Sequence, residues 1–379
     1  MKRFLKWFVP LTILVLFLLP GCGSPAQRDP KTVSGDLEYE DSLSLRYAEQ
    51  FTADHYKGGY TLLTVAGQNR YLLIPRGKEA PSDLPEDVQT ISMPLQRVYL
   101  VNSGAMDYIL SLDAAKQLRF TAMKQDGWYL SGAKELMERG ELLYAGKYSA
   151  PDYEMLKAGQ CDLAIENTMI FHTPEVKEQL ERLGIPVIVD YSSYENTPQG
   201  KVEWIKFYGE LTGKRKQAEE LFSQQEALFE KMDGEKATDK TVVYFYITSG
   251  GEVRVRRASD SIPKMIELAG GQYAFPDLGA GETTASSTVT LQMEAFYAVA
   301  KDADFLIYNS TIDGELKTLS AMLEKEPLLR NCRAVQNGNV FCTTKNLYQA
   351  SMSLGTFTED LRKMLTGERD SLQFLYPLE

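Results

Sequence analysis

The sequence predicts an α/β protein of two lobes. Three observations predict it: short apolar runs recur between helix-periodic stretches, the same pattern restarts past residue 239, and a long helical connector separates the halves. In the first half the buried runs are Val98-Tyr99-Leu100-Val101, Leu142-Leu143-Tyr144-Ala145-Gly146, Asp162-Leu163-Ala164-Ile165 and Ile185-Pro186-Val187-Ile188-Val189. Runs of this kind, with helical spacing such as that from Met106 to Leu118 between them, are strands of a largely parallel sheet. The second half repeats them in Thr241-Val242-Val243-Tyr244-Phe245-Tyr246, Asp304-Phe305-Leu306-Ile307-Tyr308 and Val340-Phe341. Ahead of both, Tyr60 to Val65 and Tyr71 to Pro75 flank Gly67-Gln68-Asn69 and read as a hairpin.

The connector carries Val202, Ile205 and Tyr208, then Ala218, Phe222, Phe229 and Met232, close to a 3.6-residue period. Gly213 divides it, and the second piece, from about Lys214 to Met232, makes a rod of about 28 Å. Such a rod resists wide hinge opening. The expected boundaries are 46–195 for the first lobe, 196–238 for the connecting helices and 239–379 for the second lobe.

The start of the chain reads as an export signal over 1–21. Lys2, Arg3 and Lys6 precede an apolar stretch from Trp7 to Leu19, which is shorter than the roughly 20 residues a membrane helix needs. Leu19-Pro20-Gly21-Cys22 then forms a lipobox, with Cys22 as the lipid acceptor. Residues 22–45, rich at first in Ser, Pro, Gly and charge, read as a lipidated flexible tether. The expected location is therefore the extracytoplasmic side of a membrane.

The sequence carries 41 Lys and Arg against 52 Asp and Glu, a net charge of −11, and loss of Lys2, Arg3 and Lys6 takes this to −14. An acidic body without a basic cluster disfavours nucleic acid as a partner. Beyond Cys22 only Cys161, Cys332 and Cys342 remain, which excludes a disulfide scaffold. Cys332 and Cys342 bracket an apparent hairpin turning at Asn337-Gly338. A three-residue loop there would set them opposite each other, a two-residue turn would not, and the alternative is two buried thiols. Cys161 reads as a buried thiol. His55 and His172 have no metal-like partners nearby, so both read as surface residues and no direct metal site is expected. No nucleophile elbow, zinc-protease helix, phosphate loop or redox cysteine pair is present, which argues against an enzyme.

Several segments together resemble the iron-siderophore and cobalamin class of periplasmic binding proteins. They are Ile91-Ser92-Met93-Pro94-Leu95-Gln96-Arg97-Val98, Tyr148-Ser149-Ala150-Pro151-Asp152-Tyr153-Glu154, Leu183-Gly184-Ile185-Pro186-Val187, Glu203-Trp204-Ile205-Lys206-Phe207-Tyr208-Gly209-Glu210-Leu211-Thr212-Gly213, Met293-Glu294-Ala295-Phe296-Tyr297 and Ala334-Val335-Gln336-Asn337-Gly338-Asn339-Val340. The resemblance implies two Rossmann-like lobes joined by a rigid helix, the class III binding-protein fold. It implies a monomeric substrate receptor that delivers a metal chelate to an ABC permease and its ATPase. A ferric siderophore is the first choice of ligand, with cobalamin or haem as alternatives, and no cofactor is implied. A sensing or scavenging lipoprotein that works without a permease is the other reading. Glu154 and Glu294 match the acidic residues that dock such proteins on their permease. Ligand binding between the lobes places the candidates in loops at strand carboxyl ends: Met106, Trp128, Tyr148, Asn167, Tyr191, Tyr194, Tyr246, Arg254, Arg256 and Asn309. A cluster of Arg254, Arg256 and Arg257 would focus an anionic ligand, whereas alternation with Val253 and Val255 equally fits one solvated strand face.

Overall fold

A computed structural model describes residues 33–233, 236–280 and 286–379. The export signal and Cys22 lie outside the described residues. Three main sheets organise the protein. The first is a five-stranded sheet over Tyr39–Ser42, Phe51–Tyr56, Tyr60–Val65, Asn69–Ile74 and Val88–Ser92, antiparallel except for its last pair. The central hairpin pairs Val65 with Asn69 across the Gly67 turn, as the turn chemistry predicts. The tether expected over 22–45 is shorter than read. Val33 is fully buried against a small cluster with Tyr56, Leu62, Leu72 and Ile74, and Tyr39–Ser42 is already a strand. Apolar side chains that find this cluster gain more by burial than the tether gains in freedom.

The first lobe is a wholly parallel sheet in the spatial order Val187–Asp190, Leu163–Asn167, Val98–Leu100, Leu118–Thr121 and Leu143–Tyr144. Its three central strands carry no exposed residue; Val98–Leu100 and Leu163–Ile165 accordingly read as apolar runs, whereas Arg119 interrupts Leu118–Thr121, a strand the apolar pattern did not mark. In the second lobe Thr241–Ile247, Phe305–Tyr308 and Val340–Thr343 are parallel. Val253–Arg256 and Thr288–Leu291 extend that sheet antiparallel on one side and Leu375–Pro377 on the other.

Between the lobes lie two packed helices. Pro198–Thr212 starts with Thr197, whose side chain accepts from Gly200 N, and ends at Gly213 in the left-handed conformation (φ 70°) that a side chain would strain. The second helix, Arg215–Asp233, is the crossing rod. At its start Arg215 donates to Thr61 Oγ1 at 2.6 Å, and at its far end Lys231 pairs with Glu359 of the second lobe at 3.4 Å. Carboxylates of the first helix and its approach stitch the early segment down: Glu203 accepts from the backbone of Arg46, Tyr47 and Ala48, and Glu195 from Glu49 and Gln50. His55 is not a surface residue. Its side chain is 12% exposed and held between Asp41 and Glu210, so it serves the interior of this junction. His172 is exposed.

Cys161, Cys332 and Cys342 are buried and free. The hairpin expected around Asn337-Gly338 does not form, because Arg333–Gln336 coils into a helical turn and Val340–Thr343 pairs parallel with Phe305–Tyr308. Gly338 is left-handed as expected (φ 69°), but it closes a helical turn, so no strand carries Cys332 opposite Cys342. Burial holds the thiols inert, pushing Cys332 up to about 11 and Cys161 up to about 12.

A candidate ligand cleft between the lobes

The carboxyl ends of the first-lobe strands converge on the second lobe and enclose a cavity of about 370 Å³. From the first lobe come Asn102, Ser103 and Gly104 after one strand, Asn167, Thr168 and Met169 after the next, and Ser192 and Ser193 after the third. The second lobe supplies Tyr244, Arg256, Asp260 to Ile262, Met265, Thr311 and the segment around Leu347 and Tyr348. Lys201, in the first turns of the connecting helix, closes the floor. Open α/β sheets bind ligands at this end of their strands, where loops can present polar groups without breaking a ladder.

The polar groups are fixed before any ligand arrives. Asn167 accepts from Met169 N at 2.9 Å, and Asp190 accepts from Ser192 N at 2.7 Å, so both loops are held by their own turns. Tyr108 donates to the backbone oxygen of Lys201 at 2.6 Å and stacks on Tyr208 at 5.1 Å. Arg256 lies over the Tyr244 ring, 5.7 Å from its centre, and its guanidinium faces Asp260 at 3.6 Å and Ser287 at 3.1 Å. Burial pushes the Tyr244 phenol up to about 12 and holds Tyr108 well above its ordinary value.

One edge of the cleft is fastened. Gln349 accepts from Tyr129 N at 2.7 Å and donates to the oxygen of Gly127 at 2.9 Å. Beside it Ser351 donates to the oxygen of Gly104 at 3.0 Å, and Met352 N donates to Asp107 at 2.7 Å. A side chain at Gly104 would come within 3.0 Å of Ser351, so the approach of the two lobes depends on that glycine.

Among the residues expected from sequence, Asn167 and Arg256 line the cavity. Tyr194 lines a smaller chamber beside it, and Tyr191 stands behind the lip, its ring packed on Phe171 and Tyr194. Four others lie in the cores instead. Met106 is fully buried, Trp128 is 1% exposed and Tyr246 7%, and Asn309 is spent capping the turn Ser310–Asp313. Tyr148 packs half-buried on the outer core of the first lobe. Arg254 shares the strand face of Arg256 but does not reach the cavity. The residues the sequence left unmarked are Lys201, Tyr244, Ser261 and the Tyr348 segment. Asp260-Ser261-Ile262-Pro263 carried a helix-cap signal, with the Asp260 side chain accepting from Ile262 N, and that would have marked a helix start at the cleft. Glu154 and Glu294 are both exposed in the first turns of Tyr153–Ala158 and Met293–Ala300, in separate lobes.

Two α/β lobes, a helical bridge and a polar cleft between them define a solute-binding protein of the two-lobed class. A family model described as periplasmic binding protein matches residues 121–347, and the chain belongs to that family, within its iron, haem and corrinoid class. Over 347 residues the chain is 22% identical to an uncharacterized lipoprotein of Methanocaldococcus jannaschii, covering 85% of this chain and 79% of the relative. A second uncharacterized lipoprotein of that organism is 25% identical over both full lengths. Among solved structures, the periplasmic heme binding protein of Vibrio cholerae superposes with a TM-score of 0.57 at 19% identity, over 71% of this chain and 98% of that one. An ABC-type Fe3+-hydroxamate transport protein of Saccharomonospora viridis gives 0.54 at 18%, over 72% and 94%. These two share the fold.

Proposed function

We propose that this chain is the extracytoplasmic receptor of an ABC importer, anchored through Cys22, that closes on a ferric siderophore as a single copy and hands it to the permease. The observation that carries the reading is the convergence of three first-lobe loops with Arg256 and Lys201 on one interlobe cavity. Hydroxyl and amide groups suit an oxygen-rich chelate, and guanidinium suits its negative charge. The chelator would fill the coordination sphere of the metal, so the protein needs no metal ligands of its own. Haem held by a tyrosine calls for a phenolate, and the three phenols lining the cleft, Tyr108, Tyr244 and Tyr348, all have a pKa raised by burial and resist becoming one. The relatives' description as lipoproteins supports the anchor. Permease docking falls to Glu154 and Glu294, exposed and outside any ion pair among the described residues.

Quenching of intrinsic fluorescence by ferric siderophores, with haemin and cobalamin as comparators, tests the ligand class; silence with every ferric chelate would remove it. For delivery, Glu154→Arg with Glu294→Arg is expected to abolish cellular uptake while binding by the purified protein is unchanged. Uptake that survives the double substitution would overturn the docking assignment.

A further inference from the structure

Beside the main cavity lies a second chamber of about 230 Å³ that shares Thr168, Ser193, Lys201, Asp260 and Ser261 with it. Its wall differs in chemistry. Ser193, Ser259, Ser261 and Ser287 bring hydroxyls, Ser286 spends its own on the backbone oxygen of Thr288 at 2.9 Å, and apolar side chains are nearly absent. The charged groups of the two chambers are Lys201, Arg256 and Arg257 against Asp260 and Glu195.

Both carboxylates are already engaged. Asp260 accepts from Ile262 N at 2.9 Å and faces Arg256, while Glu195 accepts from the backbone of Glu49 and Gln50 and from Trp204 Nε1 at 2.8 Å. Arg257 is spent on the backbone oxygens of Ser286 and Gly279. Lys201 differs from these groups. Its ammonium donates to Ser261 Oγ at 2.9 Å, and among the described residues no carboxylate stands within ion-pair distance. An ammonium carries three donors, so two remain beyond the bond to Ser261, on a residue that lines both chambers. A half-buried cation without a counterion is costly to the empty protein. Burial lowers its pKa, with Asp260 opposing and Arg256 adding to the fall.

We propose that the side chamber is a subsite for an oxyanionic arm of the ligand, a carboxylate or phosphate group carried outside the metal's coordination sphere, and that Lys201 is the residue that reads its charge. The proposal rests on the receptor function above and narrows it: the preferred chelate is anionic, and a neutral or cationic hydroxamate complex leaves the chamber without its partner. The serine hydroxyls supply adaptable donors around the arm, and the arm supplies the missing counter-charge.

The test uses the purified whole chain and Lys201→Met. Metal-free citrate and metal-free phosphate are expected to raise the melting temperature of the parent and not of Lys201→Met, and the more effective anion identifies the arm. In titrations, ferric citrate should bind the variant at least tenfold more weakly, ferrioxamine B should bind both proteins alike, and the empty variant should melt at or above the parent temperature. Lys201→Arg should keep part of the citrate response. Unchanged ferric citrate affinity in Lys201→Met overturns the proposal, and so does a variant that melts lower and loses both chelates equally, since Lys201 would then only tie the helix to Ser261. If citrate and phosphate stabilise the parent but no chelate binds, the subsite stands and the receptor reading falls. If no anion and no chelate acts, both fall.

Discussion

The two walls of the cleft are made from similar strand-and-loop units, yet they differ in charge. The first lobe offers Asn102, Ser103, Asn167, Thr168, Ser192 and Ser193, all neutral, whereas the second offers Arg256, set over the Tyr244 ring, and Asp260 facing it. The first lobe does own a carboxyl next to its wall, but hides it. Glu166, one residue before Asn167, is fully buried with neither oxygen hydrogen-bonded, and burial raises it to about 8. The division leaves neutral hydrogen-bonding groups on the first lobe and places the charged groups on the second lobe and, through Lys201, on the connecting helix.

Removing the hidden acid should have the largest effect. Between the ordinary carboxyl value of 4.5 and about 8, the unfolded chain releases this proton while the folded lobe keeps it, so stability falls as pH rises through that window. Glu166→Met should raise stability at pH 8 by a few kcal/mol and flatten the decline, as read by urea unfolding across pH. Parallel curves for the two proteins would show that Glu166 is ionised and paired, and would break the contrast between the walls.

Next come the walls themselves. Arg256→Ala should weaken ferric chelate binding by roughly 10- to 100-fold, since a hydrogen bond to a charged group contributes about 1.5–3 kcal/mol. Asn167→Ala should cost no more than about tenfold. Equal losses would mean that charge is not what separates the lobes. The smallest effect is expected away from the cleft. Hydrogen bonding to Glu210 raises the His55 pKa against the pull of burial, so its stabilisation is complete below about 6.5 and is lost as pH rises through the raised value. His55→Phe should therefore lower the melting temperature at pH 5.5 more than at pH 8.

Most central parallel strands and the bridge were legible because burial on both faces leaves apolar runs, and because Gly213 interrupts a sustained 3.6-residue period; Leu118–Thr121, broken by Arg119, and the half-exposed strand Thr288–Leu291 were not. The loops after the first-lobe strands were legible for the same reason, since the strand ends mark them. Individual side chains were not. Arg254 and Arg256 have identical alternation, and only the depth of each along the strand decides which reaches the cavity. Trp128, expected at the ligand rim, is 1% exposed and belongs to the same core cluster as Ala133 and Leu136. Lys201 looked like one more polar position of a helix, because its meaning comes from Ser261, which is 60 residues away in sequence. Nothing in Cys332 to Cys342 revealed that Arg333–Gln336 would coil.

The fastening of Tyr348 to Met352 onto the first lobe ties one edge of the cleft shut. Six hydrogen bonds close that edge without any help from a ligand. Any parting of the lobes along that edge has to break these bonds together, whereas motion elsewhere in the cleft leaves them intact.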